Sequence, residues 1–279
     1  MYTTLVSTEQ LNDHLGEWLV LDCRFDLADT DAGRRAYAGG HIPGAFYLHM
    51  EDDLSAEITP LSGRHPLPRP ERLANRLAAL GLSAGRQVVV YDDVGGAMAA
   101  RAWWLLRWMG HTNVALLNGG YPAWLGDEME VSQKPVMVQS GEFEYHLQHE
   151  MALSVTELQQ QLSDQLVTLI DARAAARFEG QQEPIDPVAG HVPGALSRPL
   201  MDNLVDGQFK PAGVLHAEWC EVLAGRSPET VVHMCGSGIT ACHNQLAMEI
   251  AGLAGSHLYP GSWSEWIRDP QRPVVTGQT

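Results

Sequence analysis

Cys235 is the residue in this sequence best placed to do chemistry. It follows the largely β-branched run Thr230-Val231-Val232-His233-Met234, and Gly236, Ser237 and Gly238 come after it before an apolar-periodic helix begins. A strand, a tight glycine loop and a helix start together leave several backbone N–H groups without intrahelical partners, aimed at the centre of the loop. A side chain held there sits in positive potential, which favours a thiolate and makes it nucleophilic. Gly236 and Gly238 let the backbone curl closely around whatever the sulfur carries. The pattern predicts a reactive cysteine in an anion cradle. The competing expectation is a buried structural cysteine, since free Cys is among the most buried residue types.

A chain of 279 residues has room for one large or two ordinary domains. With 45% hydrophobic and 19% charged residues it is expected to be globular. A formal net charge of −16 argues against nucleic acid or an anionic membrane as a partner. A small anion would need a local positive site. No apolar run approaches the roughly 18 residues of a membrane span. Met1 to Leu11 lacks a basic region followed by an apolar one, so no secretory signal is expected.

The four cysteines, Cys23, Cys220, Cys235 and Cys242, match neither a disulfide framework nor a common zinc pattern. The nearest metal suspect is His233, Cys235, Cys242 and His243, and its spacing does not suit zinc. No metal is assigned. Reduced thiols in a cytoplasmic location are expected.

The chain repeats itself. Ser7-Thr8-Glu9-Gln10 has the form of a capping box, and so does Ser154-Val155-Thr156-Glu157. The strand-like Leu19 to Arg24 is matched by Thr168 to Arg173, and His41-Ile42-Pro43-Gly44-Ala45 recurs as His191-Val192-Pro193-Gly194-Ala195. Further on, Val88 to Asp93 parallels Thr230 to Cys235, and the spacing 235 − 93 = 142 also relates Gly96 to Gly238, Gly119 to Gly261 and Trp124 to Trp266. On that alignment Asp93 stands where the second copy has Cys235. One nucleophile per chain is therefore expected, with the first copy lending a wall to a cleft.

Within each copy, short β-branched strands alternate with helical patterns. Pro70 to Leu80, for example, has Leu73, Leu77 and Leu80 on one face, Pro70 in its first turn and Gly81 after its end. Such alternation predicts an α/β fold of two tandem domains, each a parallel sheet flanked by helices. The expected bounds are residues 1–130, a polar linker over 131–150, and a catalytic domain over 151–279. In sheets of this kind chemistry gathers beyond the carboxyl ends of the strands, where Cys235 lies.

With these motifs in hand, the sequence resembles the tandem-domain rhodanese-like sulfurtransferases over essentially its whole length. The resemblance rests on the repeated His-Ile/Val-Pro-Gly-Ala, on Asp22-Cys23-Arg24 and Asp171-Ala172-Arg173, and on Asn118-Gly119-Gly120-Tyr121-Pro122-Ala123-Trp124. The loop Cys235-Gly236-Ser237-Gly238-Ile239-Thr240-Ala241 is similar to that of the 3-mercaptopyruvate sulfurtransferases. Thiosulfate-preferring relatives usually carry basic residues just after the cysteine, and Gly236 and Ser237 are neither.

The resemblance implies a ping-pong cycle in which Cys235 takes sulfur from a small-molecule donor as a persulfide. It then passes that sulfur to a thiol such as thioredoxin or glutathione, or to cyanide. No cofactor is required. It further implies a Ser-His-acid group that handles a proton, carried here by Ser237, His65 and Glu51, with Asp52 and Asp53 as rivals for the acid. Gly236, Gly238, Ile239 and Thr240 would line the donor site. Arg177 would bind a donor carboxylate, in keeping with the fork geometry of arginine. A second arginine of the family is expected within Glu183 to Asp186, where this chain has Ile185. Arg198 is a possible substitute.

His41 and His191 are expected to bond backbone, Asp22 and Asp171 to brace strand ends, Trp103, Trp104 and Trp108 to pack the core, and Cys242 to be a helix residue. The alternatives are a thiosulfate sulfurtransferase using the same Cys235 and, in a different class, a non-catalytic rhodanese module for binding or regulation. Phosphatase chemistry is disfavoured, because Ile239, Thr240 and Ala241 stand where a phosphate-gripping arginine would close the loop.

Overall fold

The computed structural model of the chain describes residues 1–137 and 139–278; Val138, inside the expected linker, and Thr279 lie outside the described residues. Two compact units form. The first comprises Met1–Ala56, Leu67–Gln148 and Asp206–Phe209, and the second Glu57–Pro66, His149–Val205 and Lys210–Thr279. Each unit thus takes a short segment from the other's part of the sequence. For the second unit that segment contains Arg64 and His65.

The first unit is a five-stranded sheet of β1 (Leu5–Val6), β2 (Leu19–Asp22), β3 (Phe46–Tyr47), β4 (Val88–Tyr91) and β5 (Val114–Leu117), ordered β1-β5-β4-β2-β3. Every pairing is parallel. Its helices are α1 (Thr8–Asn12), α2 (Ala32–Gly39), α3 (Pro70–Ala79), α4 (Ala99–Trp108) and α5 (Gly120–Gly126). The second unit repeats the plan with α6 (Val155–Ser163), β6 (Thr168–Asp171), α7 (Ala175–Phe178), β7 (Leu196–Ser197), α8 (Ala212–Leu223), β10 (Val231–Met234), α9 (Ala241–Ile250), β11 (His257–Leu258) and α10 (Ser262–Trp266). Its sheet order is β11-β10-β6-β7, again parallel. The short strands β8 (Leu204–Val205) and β9 (Gln208–Phe209) stand apart from these sheets. Among the described residues no helix is long and apolar enough to cross a membrane.

The local reasons for these elements are those the sequence suggested. Ser7 and Ser154 each accept from the N3 amide while Gln10 and Glu157 reach back to the cap N–H, so both capping boxes close. The central strands β4 and β10 are buried at every residue, as covered parallel strands must be. Trp103, Trp104 and Trp108 are buried on α4. His41 Nδ1 lies 2.8 Å from the Tyr37 carbonyl and His191 Nδ1 2.8 Å from that of Phe178, so both histidines serve the backbone.

Strands β2 and β6 end two residues earlier than the sequence runs suggest, because an aspartate side chain takes over at each end. Asp22 binds the Arg24 amide at 3.0 Å and its Nη2 at 2.6 Å, and Arg24 in turn reaches the Gly40 carbonyl at 2.7 Å. Asp171, Arg173 and the Gly190 carbonyl repeat this brace at 3.0, 2.7 and 2.7 Å.

These braces fix the true correspondence of the two copies. Asp22 pairs with Tyr91 and Asp171 with Met234, so the residue after each strand is Asp92 in one copy and Cys235 in the other. Consistently, the Tyr121 amide donates to the Asp92 carbonyl at 2.8 Å and the Trp263 amide to the Cys235 carbonyl at 3.0 Å. Asp92, not Asp93, is therefore the counterpart of the cysteine. The spacing of 142 misleads here because seven residues, 92–98, join β4 to α4, whereas six, 235–240, join β10 to α9.

The Asp92 carboxylate fills its own loop. Oδ1 accepts from the amides of Val94 and Gly96 at 2.9 and 2.8 Å, and Oδ2 from those of Met98 and Ala99 at 2.7 and 2.8 Å. Burial raises the pKa of this carboxyl, and the four amides oppose that shift. The first copy thus has an anion cradle occupied by its own side chain. Asp92→Ala leaves those amides without their acceptor, each buried loss being worth about 1–3 kcal/mol, so at least ~2 kcal/mol of stability should go. Exposed Asp93→Ala should change stability by less than about 0.5 kcal/mol. Urea denaturation of both variants checks this, and equal effects would put the correspondence back at Asp93.

Candidate active site

Cys235 directly follows β10 and is 1% exposed. Its Sγ accepts a hydrogen bond from the Gly238 amide at 3.1 Å. The backbone that shapes the loop is tied to the turn leading into α10. The Cys235 amide donates to Ser262 Oγ at 3.1 Å, and the Ser262 hydroxyl passes on to the Tyr259 carbonyl at 3.0 Å. From the other side, the amides of Trp263 and Ser264 donate to the carbonyls of Cys235 and Gly236 at 3.0 and 2.9 Å. Gly238 completes the fit: its φ is +80°, and a Cβ there would lie 2.1 Å from the Pro260 carbonyl oxygen. Only glycine meets both conditions.

Ser237 is buried, and its Oγ lies 2.8 Å from Nδ1 of His65, also buried. The two are far apart in sequence, but segment 57–66 belongs to the same unit as the cysteine loop. A second tie holds that segment in place, since the Arg64 amide donates to Ser264 Oγ at 3.0 Å. Cys235, Ser237 and His65 are thus brought together. Ile239 is buried, with its carbonyl accepting from the Cys242 amide at 3.2 Å, and half-buried Thr240 precedes α9. Cys242 is buried within α9, as expected of a helix residue.

Of the three acids considered with His65, Glu51 is exposed and belongs to the first unit. Its neighbours have structural tasks there. Asp52 pairs with Arg34 at 3.1 Å, while Asp53 accepts from the His49 amide at 2.9 Å and from Arg76 at 3.0 Å.

Arg177, on α7, does reach the cysteine loop, and it comes with a partner that sequence spacing did not reveal. A Cβ built on Gly236 would lie 3.0 Å from Arg64 Nη2 and 3.5 Å from Arg177 Nη1, so both guanidinium groups lie against the loop. Residue 185, within the segment where a second arginine was expected, is Ile185, and the second guanidinium against the loop is that of Arg64. Arg198 is engaged elsewhere: its Nη2 binds Glu218 at 2.6 Å and the Asp202 carbonyl at 3.1 Å, and its guanidinium lies over Trp219. The nearest signal for Arg64 in the sequence is its position beside His65.

Two carboxylates hold the pair. Glu183 takes Arg177 through Nε and Nη2 at 3.1–3.2 and 2.6 Å, and Asp186 bridges Arg64 and Arg177 with one oxygen each. Burial alone would raise the pKa of Glu183, but hydrogen bonds from Arg177 and from the Asp186 and Ile185 amides bring it below the ordinary value. Burial keeps Asp186 raised despite Arg64 and Arg177. Burial also pushes His233, just before the cysteine, down to about 3, so that ring is neutral.

A thiol on a backbone cradle, a serine–histidine pair beside it and arginines over the adjacent glycine suit transfer of a group from a small anion. The Rhodanese-like domain family matches the chain twice, over residues 7–127 and 154–269. A protein of Pseudomonas aeruginosa named "Probable 3-mercaptopyruvate sulfurtransferase" is 48% identical over 278 residues, covering 98% of either chain. The thiosulfate sulfurtransferase of Mus musculus is 32% identical over 293 residues, covering 100% of this chain and 97% of its own. Among solved structures, the 3-mercaptopyruvate sulfurtransferase of Escherichia coli superposes with a TM-score of 0.82 at 33% identity, over 95% of this chain and all of that one. The chain belongs to the rhodanese-like sulfurtransferases, with two rhodanese-like domains in tandem.

Proposed function

We propose that this sulfurtransferase moves sulfane sulfur from 3-mercaptopyruvate, through a persulfide on Cys235, to a thiol acceptor such as thioredoxin or glutathione, or to cyanide. The observation that carries the choice of donor is the 2.8 Å contact between Ser237 and His65 beside Cys235. When the Cys235 thiolate attacks the sulfur of mercaptopyruvate, an S–S bond forms and the donor's C–S bond breaks. The carbon fragment leaves as the enolate of pyruvate and must gain a proton. The donor thiol must lose one, so a hydroxyl hydrogen-bonded to an imidazole is suited to moving a proton from the sulfur to the carbon. Attack on thiosulfate breaks an S–S bond and releases sulfite, which needs no such transfer.

The Gly238 amide that donates to Sγ supports the sulfur when it is negative, before or after it carries a second sulfur. Arg64 and Arg177 bring guanidinium donors to the loop in a chain of net charge −16. Cys23, Cys220, Cys235 and Cys242 are all thiols, in keeping with a reducing, cytoplasmic setting. Thiosulfate is the second donor to consider, because relatives named for it span the whole chain. A purely binding role fits poorly with a cysteine whose sulfur receives a backbone amide.

Cys235→Ser should abolish sulfur transfer from every donor while leaving circular dichroism and melting temperature near wild type. Intact mass after incubation with donor provides the check, one added sulfur atom being expected on the wild type and none on the variant. Turnover near wild type in the variant would remove Cys235 from the mechanism. Ser237→Ala and His65→Ala should lower kcat/KM with mercaptopyruvate by about 100-fold, the lower range for general acid–base catalysis, and with thiosulfate by less than about 10-fold. Equal losses with both donors would remove the proton-handling role.

A further inference from the structure

Asp186 has no task in the reaction as described, yet it is placed where the donor's charge must be met. It is 8% exposed, its two oxygens divide between Arg64 and Arg177, and its amide donates to Glu183 at 3.1 Å. The four groups behind Gly236 are two guanidiniums and two carboxylates, which sum to no net charge. Arg173 adds nothing to that sum, since Asp171 holds it at 2.7 Å and Glu183 lies 3.4 Å away. The positive site is therefore partly filled before any donor arrives, and filled by a carboxylate.

We infer that Asp186 sets donor selectivity by charge: it holds part of the hydrogen-bonding capacity of Arg64 and Arg177, so that the site accepts a donor with one negative charge and disfavours one with two. The inference rests on the proposal that the donor anion meets these arginines. Mercaptopyruvate with its thiol protonated carries one charge, on a carboxylate that fits an arginine fork. Thiosulfate carries two. With Asp186 in place the cluster offers an arginine fork but no net positive charge to offset a second negative one, which moreover approaches a Cys235 that is itself negative when ready to attack. Remove the charge of Asp186 and the four-group cluster gains a net positive charge, to which a dianion responds twice as strongly as a monoanion. Asp186 acts through the arginines and touches neither sulfur, so it is a positioning and specificity residue.

The test is kcat/KM with both donors for the wild type, Asp186→Asn and Asp186→Glu. In Asp186→Asn, of nearly unchanged shape, the ratio of thiosulfate to mercaptopyruvate should rise by about 10-fold, through a lower KM for thiosulfate, with kcat for mercaptopyruvate within about 3-fold of wild type. Asp186→Glu, which restores the charge, should return the ratio towards wild type. A purely structural role would lower kcat with both donors and leave the ratio unmoved; that result overturns the inference. Should Asp186→Asn fail to fold, Asp186→Ser tests the same ratio.

Affinity gives a second readout that does not depend on turnover. In a Cys235→Ser background, calorimetry should show thiosulfate binding about 10-fold tighter on Asp186→Asn and pyruvate changing by less than about 3-fold. Equal changes for the two anions overturn the inference. Failure of the underlying reading would look different, since Arg177→Ala would then leave KM for both donors unchanged.

Discussion

The Cys235 loop keeps its shape because it is bonded, backbone to backbone, onto the turn that follows β11. Two amides of that turn donate to loop carbonyls, a serine hydroxyl receives the Cys235 amide, and Gly238 lies against Pro260 with no room for a Cβ. Little of this involves the sulfur itself. A loop that presents an amide to its centre is unstable alone, since its carbonyls and amides would otherwise bond to water and splay. The shape of the loop therefore depends on two βα connections locked together, one carrying Cys235 and the other holding it in place. The serine–histidine pair belongs to the same construction, because the segment bearing His65 is pinned to Ser264 of that second connection.

The two copies show what the same frame does with two different residues. Both have the Asp–Arg brace at the end of the neighbouring strand, and both tie the residue after the central strand to the helix that follows the next strand, α5 or α10, by an amide-to-carbonyl bond. In the first copy that residue is Asp92, whose carboxylate takes four loop amides and satisfies the cradle from within. In the second it is Cys235, whose larger, softer sulfur takes the Gly238 amide and can still extend by one atom. A carboxylate makes the loop a structural knot; a thiol makes it a site.

Charge is handled locally. An acidic chain that processes anions cannot attract them over distance, so what matters is the arrangement within a few ångströms of the nucleophile. Arg64 and Arg177 provide the positive groups, Glu183 orients one of them, and Asp186 spans both. Arginines without such partners would be mobile; with them, the guanidiniums are held in place and the cluster carries no net charge.

Much of the site could be seen in the sequence, for definite physical reasons. Cys235, Gly236, Ser237 and Gly238 are adjacent, and a glycine-rich loop between a β-branched run and a helix has few other ways to fold. The repeat, the capping boxes, the parallel sheets and the bracing aspartates are local or periodic, so they too were legible; His65, Glu51 and Arg177 were put forward by family resemblance alone, and of these the structure brings His65 and Arg177 to the cysteine loop. Other features depend on contacts that spacing cannot encode. That Arg64 and not Arg198 accompanies Arg177, that Asp186 bridges the two, and that Ser262 and Ser264 support the loop are consequences of packing between distant segments. The counterpart of Cys235 was misplaced by one residue for the same reason. Glycine spacing counts residues along the chain, whereas strand register counts hydrogen bonds across the sheet, and only tertiary structure contains the latter.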